Sequence, residues 1–327
     1  MSSRSAVWSF SDPFAYEAAI RAADIHILSV RRAEFAADLT RVDVGKVWMQ
    51  RFRDTAPRLA RTSGHSSRSI IVFRAGADRG ALRHGGFEVD DHTLLFLGAG
   101  STDAQVTGGA VGLASMSLAP VDLAAAASLL AERDVSSPRR SSALRPHAAA
   151  LARLKFLHDA AIRLARTRPD ALDHPEVARG FDNAMISAMV RAVTEARPPS
   201  VALTSQRRKA IVGAVDEYLA TNSHRPVYVA ELCLALKIPE RSLERACHEV
   251  LGVGPKRYLL LRRLILARRS LIEAQARETT VANIALAHGF WELGRFSVRY
   301  REAYGESPSE TLRAPRRVSS YGPVSTT

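Results

Sequence analysis

The chain has 327 residues, a hydrophobic fraction of 46% and a formal net charge of +13. This length predicts two domains, and no run of 18 or more apolar residues occurs, so a membrane-spanning helix is not expected. The segment MSSRSAVWSFSDPFAYEAA has no apolar signal-peptide core, and two cysteines are too few for a disulfide framework. We therefore expect a cytoplasmic protein.

The positive charge is the first indication of function, since strongly basic proteins tend to bind polyanions such as nucleic acids. The basic residues are 41 Arg and 5 Lys. A preference for arginine also accompanies a GC-rich genome, so the charge alone does not decide for nucleic acid.

Residues 1–133 are predicted to form an antiparallel β sandwich or barrel, cupin-like in kind. Short apolar or alternating runs recur at even spacing between Gly, Asp, Ser and His; they are DIHILSV, KVWMQRF, RSIIVFRA, HTLLFLG and AVGLASMSL. Helical patterns flank them, PFAYEAAIRAA before and PVDLAAAASLLAER after. The pattern predicts an α+β chain whose first domain is rich in strands.

The rest of the chain has a helical pattern. Residues 134–146, DVSSPRRSSALRP, have the composition of an exposed linker. Two helical patterns predict a connecting region over 147–203, ended by consecutive prolines. Residues 204–314 read as an all-α domain of helices with short breaks, and 315–327 as a disordered tail.

Two segments of the all-α domain repeat each other. Five apolar positions recur at an offset of 52: Val229, Ala230, Leu232, Leu234 and Ala235 match Val281, Ala282, Ile284, Leu286 and Ala287. After one extra residue the offset is 53: Leu243, Cys247, Leu251, Gly252 and Pro255 match Phe296, Tyr300, Tyr304, Gly305 and Pro308. The repeat predicts two helix-turn-helix units, at about 227–252 and 279–305.

The second helix of each unit is predicted to turn its apolar positions inward and the positions between them outward. The outward residues are Arg241, Ser242, Glu244, Arg245 and His248 in the first unit and Gly294, Arg295, Ser297, Val298, Arg299 and Arg301 in the second. Arginine can bond a guanine edge with two hydrogen bonds. These outward faces are therefore the candidate DNA-reading surfaces.

A linker helix is predicted between the two units, within PKRYLLLRRLILARRSLIEAQA. Twenty helical residues span about 30 Å, close to the roughly 34 Å between successive major grooves on one face of DNA. One chain could therefore read two adjacent grooves. The arginines of this helix are open to two interpretations, solvated surface or phosphate contacts.

With both units placed, the chain resembles the AraC/XylS family of bacterial transcription regulators. The motifs IALAHGF…FSVRYREAYGESPSETLR and ELCLALKIPERSLERACHEVLGVGPKRYL carry the resemblance. It covers roughly Ser205 to Arg313. Within the family, the variant GFW-LG-FS--YR--YGE-PSETLR is most similar to the ethanolamine-operon type of activator.

The resemblance implies which exposed residues contact bases: Arg241, Glu244, Arg245, Leu293, Gly294, Arg295, Ser297 and Val298. Leu293, Gly294 and Val298 stand where the family has polar residues. We therefore expect the second unit to read bases weakly, with Arg295 and Arg299 on phosphates.

The resemblance further implies a sequence-specific regulator of transcription, an activator, that binds double-stranded promoter DNA. Its first domain would sense a small-molecule or partner signal or mediate homodimerisation, and RNA polymerase would be a partner. No enzymatic activity, cofactor or membrane partner is expected.

Two other functions are open to the sequence. His84, Glu88 and His92 suggest a metal-dependent enzyme of the cupin type with an accessory helical domain, but the close His-X-His pair that such sites use is missing. A nonspecific DNA-compacting protein would carry scattered basic residues instead of two ordered reading helices.

Overall fold

The computed structural model describes residues 5–30, 35–198, 203–222, 225–274 and 279–314. The chain divides into two compact units, with the change between them at residues 200 and 201. The tail at 315–327, predicted to be disordered, lies outside the described residues. None of the described helices is long and apolar enough to cross a membrane.

The first unit is built from two sheets and five helices. Its strands are β1 (Ser5–Phe10), β2 (Ala23–Val30), β3 (Ala37–Asp43), β4 (Trp48–Asp54), β5 (Arg58–Gly64), β6 (Ser69–Arg79), β7 (Leu82–His84), β8 (Phe87–Glu88), β9 (Leu94–Phe96), β10 (Thr102–Thr107), β11 (Val111–Leu118) and β12 (Ser142–Leu144). Its helices are α1 (Pro13–Ala19), α2 (Pro120–Ala131), α3 (Ala148–Thr167), α4 (Pro169–Asp173) and α5 (Pro175–Thr194).

The strands form a seven-stranded sheet, β1-β3-β4-β11-β6-β9-β12, and a five-stranded sheet, β2-β5-β10-β7-β8. Pairing is antiparallel, as in β11 against both β4 and β6. The predicted antiparallel β domain with flanking helices is confirmed.

Every residue of β11 is buried, because both faces of the seven-stranded sheet are covered. Alternate strand residues point to opposite faces. Ala114 and Met116 belong to a core that the helices share, whereas Leu113 and Ser115 line a cavity between the two sheets. The first unit therefore has a dry helix-covered face and a partly polar interior.

The segment 134–146, predicted to be an exposed linker, is part of the first unit. This segment contains β12, which pairs with β9, and the helices that follow share one core with the sheet. Leu154 of α3 and Met185 of α5 pack in the same buried cluster as Phe73. An apolar helix face must be buried somewhere, so the region predicted as a connection belongs to the first unit.

The second unit is all-α, as predicted. Its helices are α6 (Leu203–Thr221), α7 (Val229–Leu236), α8 (Glu240–Leu251), α9 (Pro255–Glu273), α10 (Val281–Ala287), α11 (Leu293–Tyr304) and α12 (Pro308–Arg313). The linker helix α9 contacts α7 and α8 on one side of the repeat and α10 and α12 on the other. Both predicted helix-turn-helix units and the linker helix are present.

The two units of the repeat end in the same way. Gly252 and Gly305 cap α8 and α11 in the left-handed region, with φ of 72° and 71°. Each glycine N–H donates to a carbonyl four residues earlier, and a proline begins the next helix at position 255 or 308. Glycine adopts this φ without a Cβ clash, which explains why the repeat keeps it.

His158 is a fully buried ionisable group between α3 and the seven-stranded sheet. Its Nδ1 lies 3.4 Å from Nη2 of Arg51, which donates, so the ring proton is on Nε2, 3.3 Å from the carbonyl oxygen of Gln50. The ring meets Phe73 edge to face at 5.5 Å. Burial, together with the charge of Arg51, lowers the pKa of His158 to about 3.

The pH dependence of stability follows from this pKa. The folded pKa lies below the unfolded value, so neutral His158 stabilises fully above about pH 6.5, and the contribution is lost as the pH falls toward 3. We expect the free energy of unfolding to drop by roughly 2 kcal/mol between pH 7 and 5 from this group. Guanidinium unfolding of His158→Gln should show a shallower pH dependence.

The exposed His92 provides the matched control, since His92→Gln should keep the wild-type dependence. An identical pH slope in His158→Gln and wild type would show that protonation of His158 does not limit acid stability.

Candidate nucleic-acid interface

Helix α8 presents a polar face opposite its buried one. Leu243, Ala246, Cys247, Val250 and Leu251 are buried. The candidate residues Arg241, Glu244, Arg245 and His248 are exposed and Ser242 is half-buried. Within the described residues, the guanidinium groups of Arg241 and Arg245 have no hydrogen-bond or ion-pair partner. The structure therefore leaves both groups available to a ligand.

Helix α11 presents a face of different chemistry. Leu293, Gly294, Arg295, Val298 and Arg299 are exposed, and Ser297 is half-buried. Arg295 pairs with Glu292, Nε to Oε2 at 2.9 Å. The Ser297 hydroxyl donates to the Leu293 carbonyl at 3.0 Å. Two of the polar groups on this face are thus engaged, Arg295 with the residue before the helix and Ser297 within it.

The turn before α11 is held by a glycine and an aromatic anchor. Gly289 has φ of 75°, and Phe290 is buried against Phe296 with ring centroids 4.8 Å apart. Contacts between aromatic rings continue along α11 from Phe296 to Tyr300 and from Tyr300 to Tyr304. This buried row fixes how the outer face of α11 is presented.

Arg263 of α9 joins the linker helix to this turn. Its Nη1 donates to the Gly289 carbonyl at 3.2 Å, and its guanidinium carbon lies 5.2 Å from the Phe290 ring centroid and 5.5 Å from that of Tyr228. Burial, opposed by Tyr228 and reinforced by Arg299, lowers the pKa of Arg263. The sequence left this arginine open between solvated surface and phosphate contact, and neither interpretation included the Gly289 carbonyl, because a contact with a distant carbonyl leaves no signal in local spacing.

The other linker arginines also differ from the two interpretations offered by the sequence. Arg262 donates to the Leu219 carbonyl. Arg268 pairs with Glu306 at 3.3 Å and lies over the Tyr304 ring at 4.6 Å. Of the four, Arg269 is exposed. The linker arginines mainly hold α9 to its neighbours.

An open cleft lies beside the start of α11, with an empty volume of about 620 Å³ that includes its mouth. Arg263, Arg295 and Arg299 line it with Tyr228 and Trp291. The Trp291 side chain is 74% exposed, so it is not part of the core. Glu292 also lines the cleft and pairs with Arg295, so three cations stand against one carboxylate, and the net positive charge suits an anion.

The three residues considered as metal ligands differ in their exposure to solvent. His84 is buried in β7, whereas Glu88 and His92 are exposed. No group of three metal-binding side chains occurs within the described part of the chain.

Comparison with known proteins decides what these helices are. A family model described as a helix-turn-helix domain matches residues 232–314. These residues form a helix-turn-helix domain. The domain includes the greater part of the first unit of the repeat and all of the second, so both candidate faces lie within it.

The relatives are operon regulators. The chain is 30% identical over 146 residues, 44% of either chain, to a probable thc operon regulatory protein of Rhodococcus erythropolis. It is 35% identical over 99 residues to an XylDLEGF operon transcriptional activator of Pseudomonas putida, covering 30% of this chain and 31% of the relative. The chain thus spans less than half the length of the two relatives.

Among solved structures, the chain is similar to the AraC-like transcriptional activator CuxR. The sequence identity is 14% and the TM-score 0.40, over 86% of this chain and 99% of the other.

The turn between α10 and α11 can be tested by a substitution at Gly289. A Cβ at Gly289 would lie 2.9 Å from Pro226 Cγ and 3.1 Å from the Tyr228 hydroxyl, at a φ that side chains disfavour. We expect Gly289→Ala to destabilise the domain by about 1–3 kcal/mol, measured by chemical unfolding of the full chain.

Gly294→Ala is the matched control, because a Cβ added to this helical glycine would meet nothing within 4 Å beyond its chain neighbours and the backbone of its own helix. It should be neutral or stabilise by up to about 1 kcal/mol. Equal effects of the two substitutions would contradict the assigned turn.

Proposed function

We propose that the protein is a sequence-specific DNA-binding regulator of transcription, an activator, whose first unit responds to a small-molecule or partner signal. The observation that carries the proposal is the duplicated helix-turn-helix, with two exposed second-helix faces on one linker helix. The operon regulators among its relatives support the same function.

The length of α9 supports reading of two adjacent grooves by one chain. Its 19 residues span about 28 Å at the rise of an α-helix. Successive major grooves on one side of DNA are roughly 34 Å apart. Because α9 packs against both units, α8 and α11 are held on one frame.

The two faces are proposed to do different work. Arg241 and Arg245, without partners among the described residues, can offer their guanidinium groups to base edges in the major groove. On α11, Leu293 and Val298 offer no hydrogen bonds, and Arg299 lies close enough to Arg263 to affect its pKa. A concentration of positive charge of this kind suits phosphates, which position a protein without reading sequence.

Partners and subclass belong to the same proposal. We infer promoter DNA and RNA polymerase as partners, with homodimerisation through the first unit and a cytoplasmic location. Membership of the AraC/XylS family as a whole chain rests on the motifs of both helix-turn-helix units, and the ethanolamine-operon type rests on the motif of the α10–α12 segment. The metal-dependent enzyme is not favoured, because His84, Glu88 and His92 lie in different settings.

Direct reading and phosphate binding predict different mutational effects. Arg245→Ala should cost about 1–3 kcal/mol on a cognate duplex and relax preference at one base pair. Arg299→Ala should weaken cognate and scrambled duplexes alike and lower the salt slope by roughly one unit. Fluorescence anisotropy titrations of both duplexes at several salt concentrations measure these effects.

Each variant is the control for the other, since both remove one exposed arginine from an equivalent helix of the repeat. Equal losses on the two duplexes for Arg245→Ala would remove it from the base-reading set.

The all-α compact unit should bind its DNA sequence without the first compact unit. A fragment of residues 203–320 holds both helix-turn-helix segments and α9, so it should be helical and footprint the same sequence as the full chain. The cut belongs near residue 200, because removing only 1–133 would strip α3 and α5 of the sheet they cover. A helical fragment that prefers no promoter over random DNA would refute the two-face assignment.

A further inference from the structure

The first unit encloses a cavity between its two sheets. Its empty volume is about 480 Å³, including its opening. Phe52 of β4, Val72 of β6 and Leu113 of β11 line it from the seven-stranded sheet. Arg58 and Thr62 of β5 line it from the five-stranded sheet.

The strand register explains why polar groups face this cavity. Arg58 and Thr62 are an even number of residues apart on β5, so they point to the same face. Gln105 of β10 pairs with Ala60 of β5 on one side and with His84 of β7 on the other. Paired residues point to the same face of a sheet, so Gln105 and His84 lie on the face of Arg58 and Thr62. Four polar side chains therefore converge from three neighbouring strands.

All four side chains are buried, with relative exposures of 1% to 5%. Each keeps at least one polar atom without a hydrogen-bond partner among the described residues: Arg58 Nη1, Thr62 Oγ1, Gln105 Oε1, and His84 Nδ1 and Nε2. The Asp103 carboxylate lies 3.8 Å from His84 Nε2, within the range of an ion pair but too far for a hydrogen bond. An unpaired buried polar group is costly, so these four side chains are suited to bind a molecule that supplies complementary donors and acceptors.

The charges of the two arginines that line the cavity are already compensated, since Arg21 lies 2.8 Å from Asp43 and Arg58 pairs with Asp54. Arg58 contacts Asp54 through Nε and Nη2 at 3.1 to 3.3 Å, and both side chains are almost fully buried. Burial by itself lowers the pKa of Arg58, but the charge of Asp54 raises it above its usual value. An additional buried carboxylate would therefore bring in an uncompensated negative charge, which is unfavourable at low polarity.

The unpaired atoms specify hydrogen bonds in both directions. Gln105 Oε1 needs a donor, Arg58 Nη1 needs an acceptor, and Thr62 Oγ1 can serve as either. A hydroxyl or a primary amide supplies both a donor and an acceptor, whereas a carboxylate supplies only acceptors and a hydrocarbon neither. The other walls are mainly apolar: Ile20, Ile25, Phe52, Ile70, Val72, Leu97 and Leu113.

We propose that this cavity binds a small uncharged molecule with a compact apolar body and a hydroxyl or amide group, held by Arg58, Thr62, His84 and Gln105. The inference rests on the proposed function, in which the molecule is the signal for the first unit. The polar end lies against the five-stranded sheet, and the apolar body against Phe52, Val72 and Leu113.

The test uses the full chain and four probes that share a six-membered ring. Cyclohexanol and cyclohexanecarboxamide carry the proposed groups, methylcyclohexane carries neither, and cyclohexanecarboxylate carries a charge. Isothermal titration calorimetry at pH 7 should give binding of the alcohol or the amide at least tenfold tighter than of the other two.

Variants assign the binding to the cavity. Thr62→Val and Gln105→Leu, close in shape to the native side chains, should each weaken binding at least tenfold, and Thr62→Ser should retain it. Thr40→Val is the matched control, since Thr40 is buried in β3 but does not line the cavity. If Gln105→Leu does not fold, the Thr62 pair decides.

The proposal is overturned if neither alcohol nor amide binds, if the hydrocarbon or the carboxylate binds as tightly, or if Thr62→Val binds like wild type. Those results would assign the unpaired atoms to buried water. Promoter preference of the same protein is measured separately. If the protein prefers a promoter but binds no probe, only the cavity proposal fails. If the protein shows no promoter preference, the proposed function is refuted.

Discussion

The packing of α9 is the constraint on which the second unit depends. Its buried positions, Leu260, Leu261, Leu264, Ala267 and Leu271, lie along one helix between two short helix pairs. A helix of seven or eight residues such as α7 or α10 is too short to be stable by itself. Each pair is therefore stabilised by α9, and the bond from Arg263 to Gly289 fastens the second turn to the same helix.

In the first unit, the two faces of the seven-stranded sheet have different surroundings. Its seven-stranded sheet is covered by helices on one face, so this face is apolar and closely packed. The opposite face meets the five-stranded sheet, which contributes Arg58, Thr62, His84 and Gln105 to the interior. The helix-covered interface is apolar, whereas the interface between the sheets contains a polar site.

The sequence predicts those features of the structure that depend on residues close together in the chain. The repeat is local: apolar spacing and the glycines before Pro255 and Pro308 define both helix-turn-helix units. Strands β5 and β10, RLARTSG and TDAQVT, do not read as strands because their inward positions are polar. Pairings between distant segments are not visible in the sequence either. This is why β12 reads as a linker and why the contact of Arg263 with the Gly289 carbonyl is not predicted.

The repeat is duplicated in backbone but not in surface chemistry. The outer face of α8 carries Arg241 and Arg245, while that of α11 carries Leu293 and Val298 beside arginines. The helix pairs that carry the two faces pack against α9, so a single chain presents two chemically different faces in a fixed order. A sequence that fits them has a polarity along the DNA, and reversing it exchanges the two contacts. Under the proposed function, one protomer is thus enough to distinguish upstream from downstream, without a palindrome.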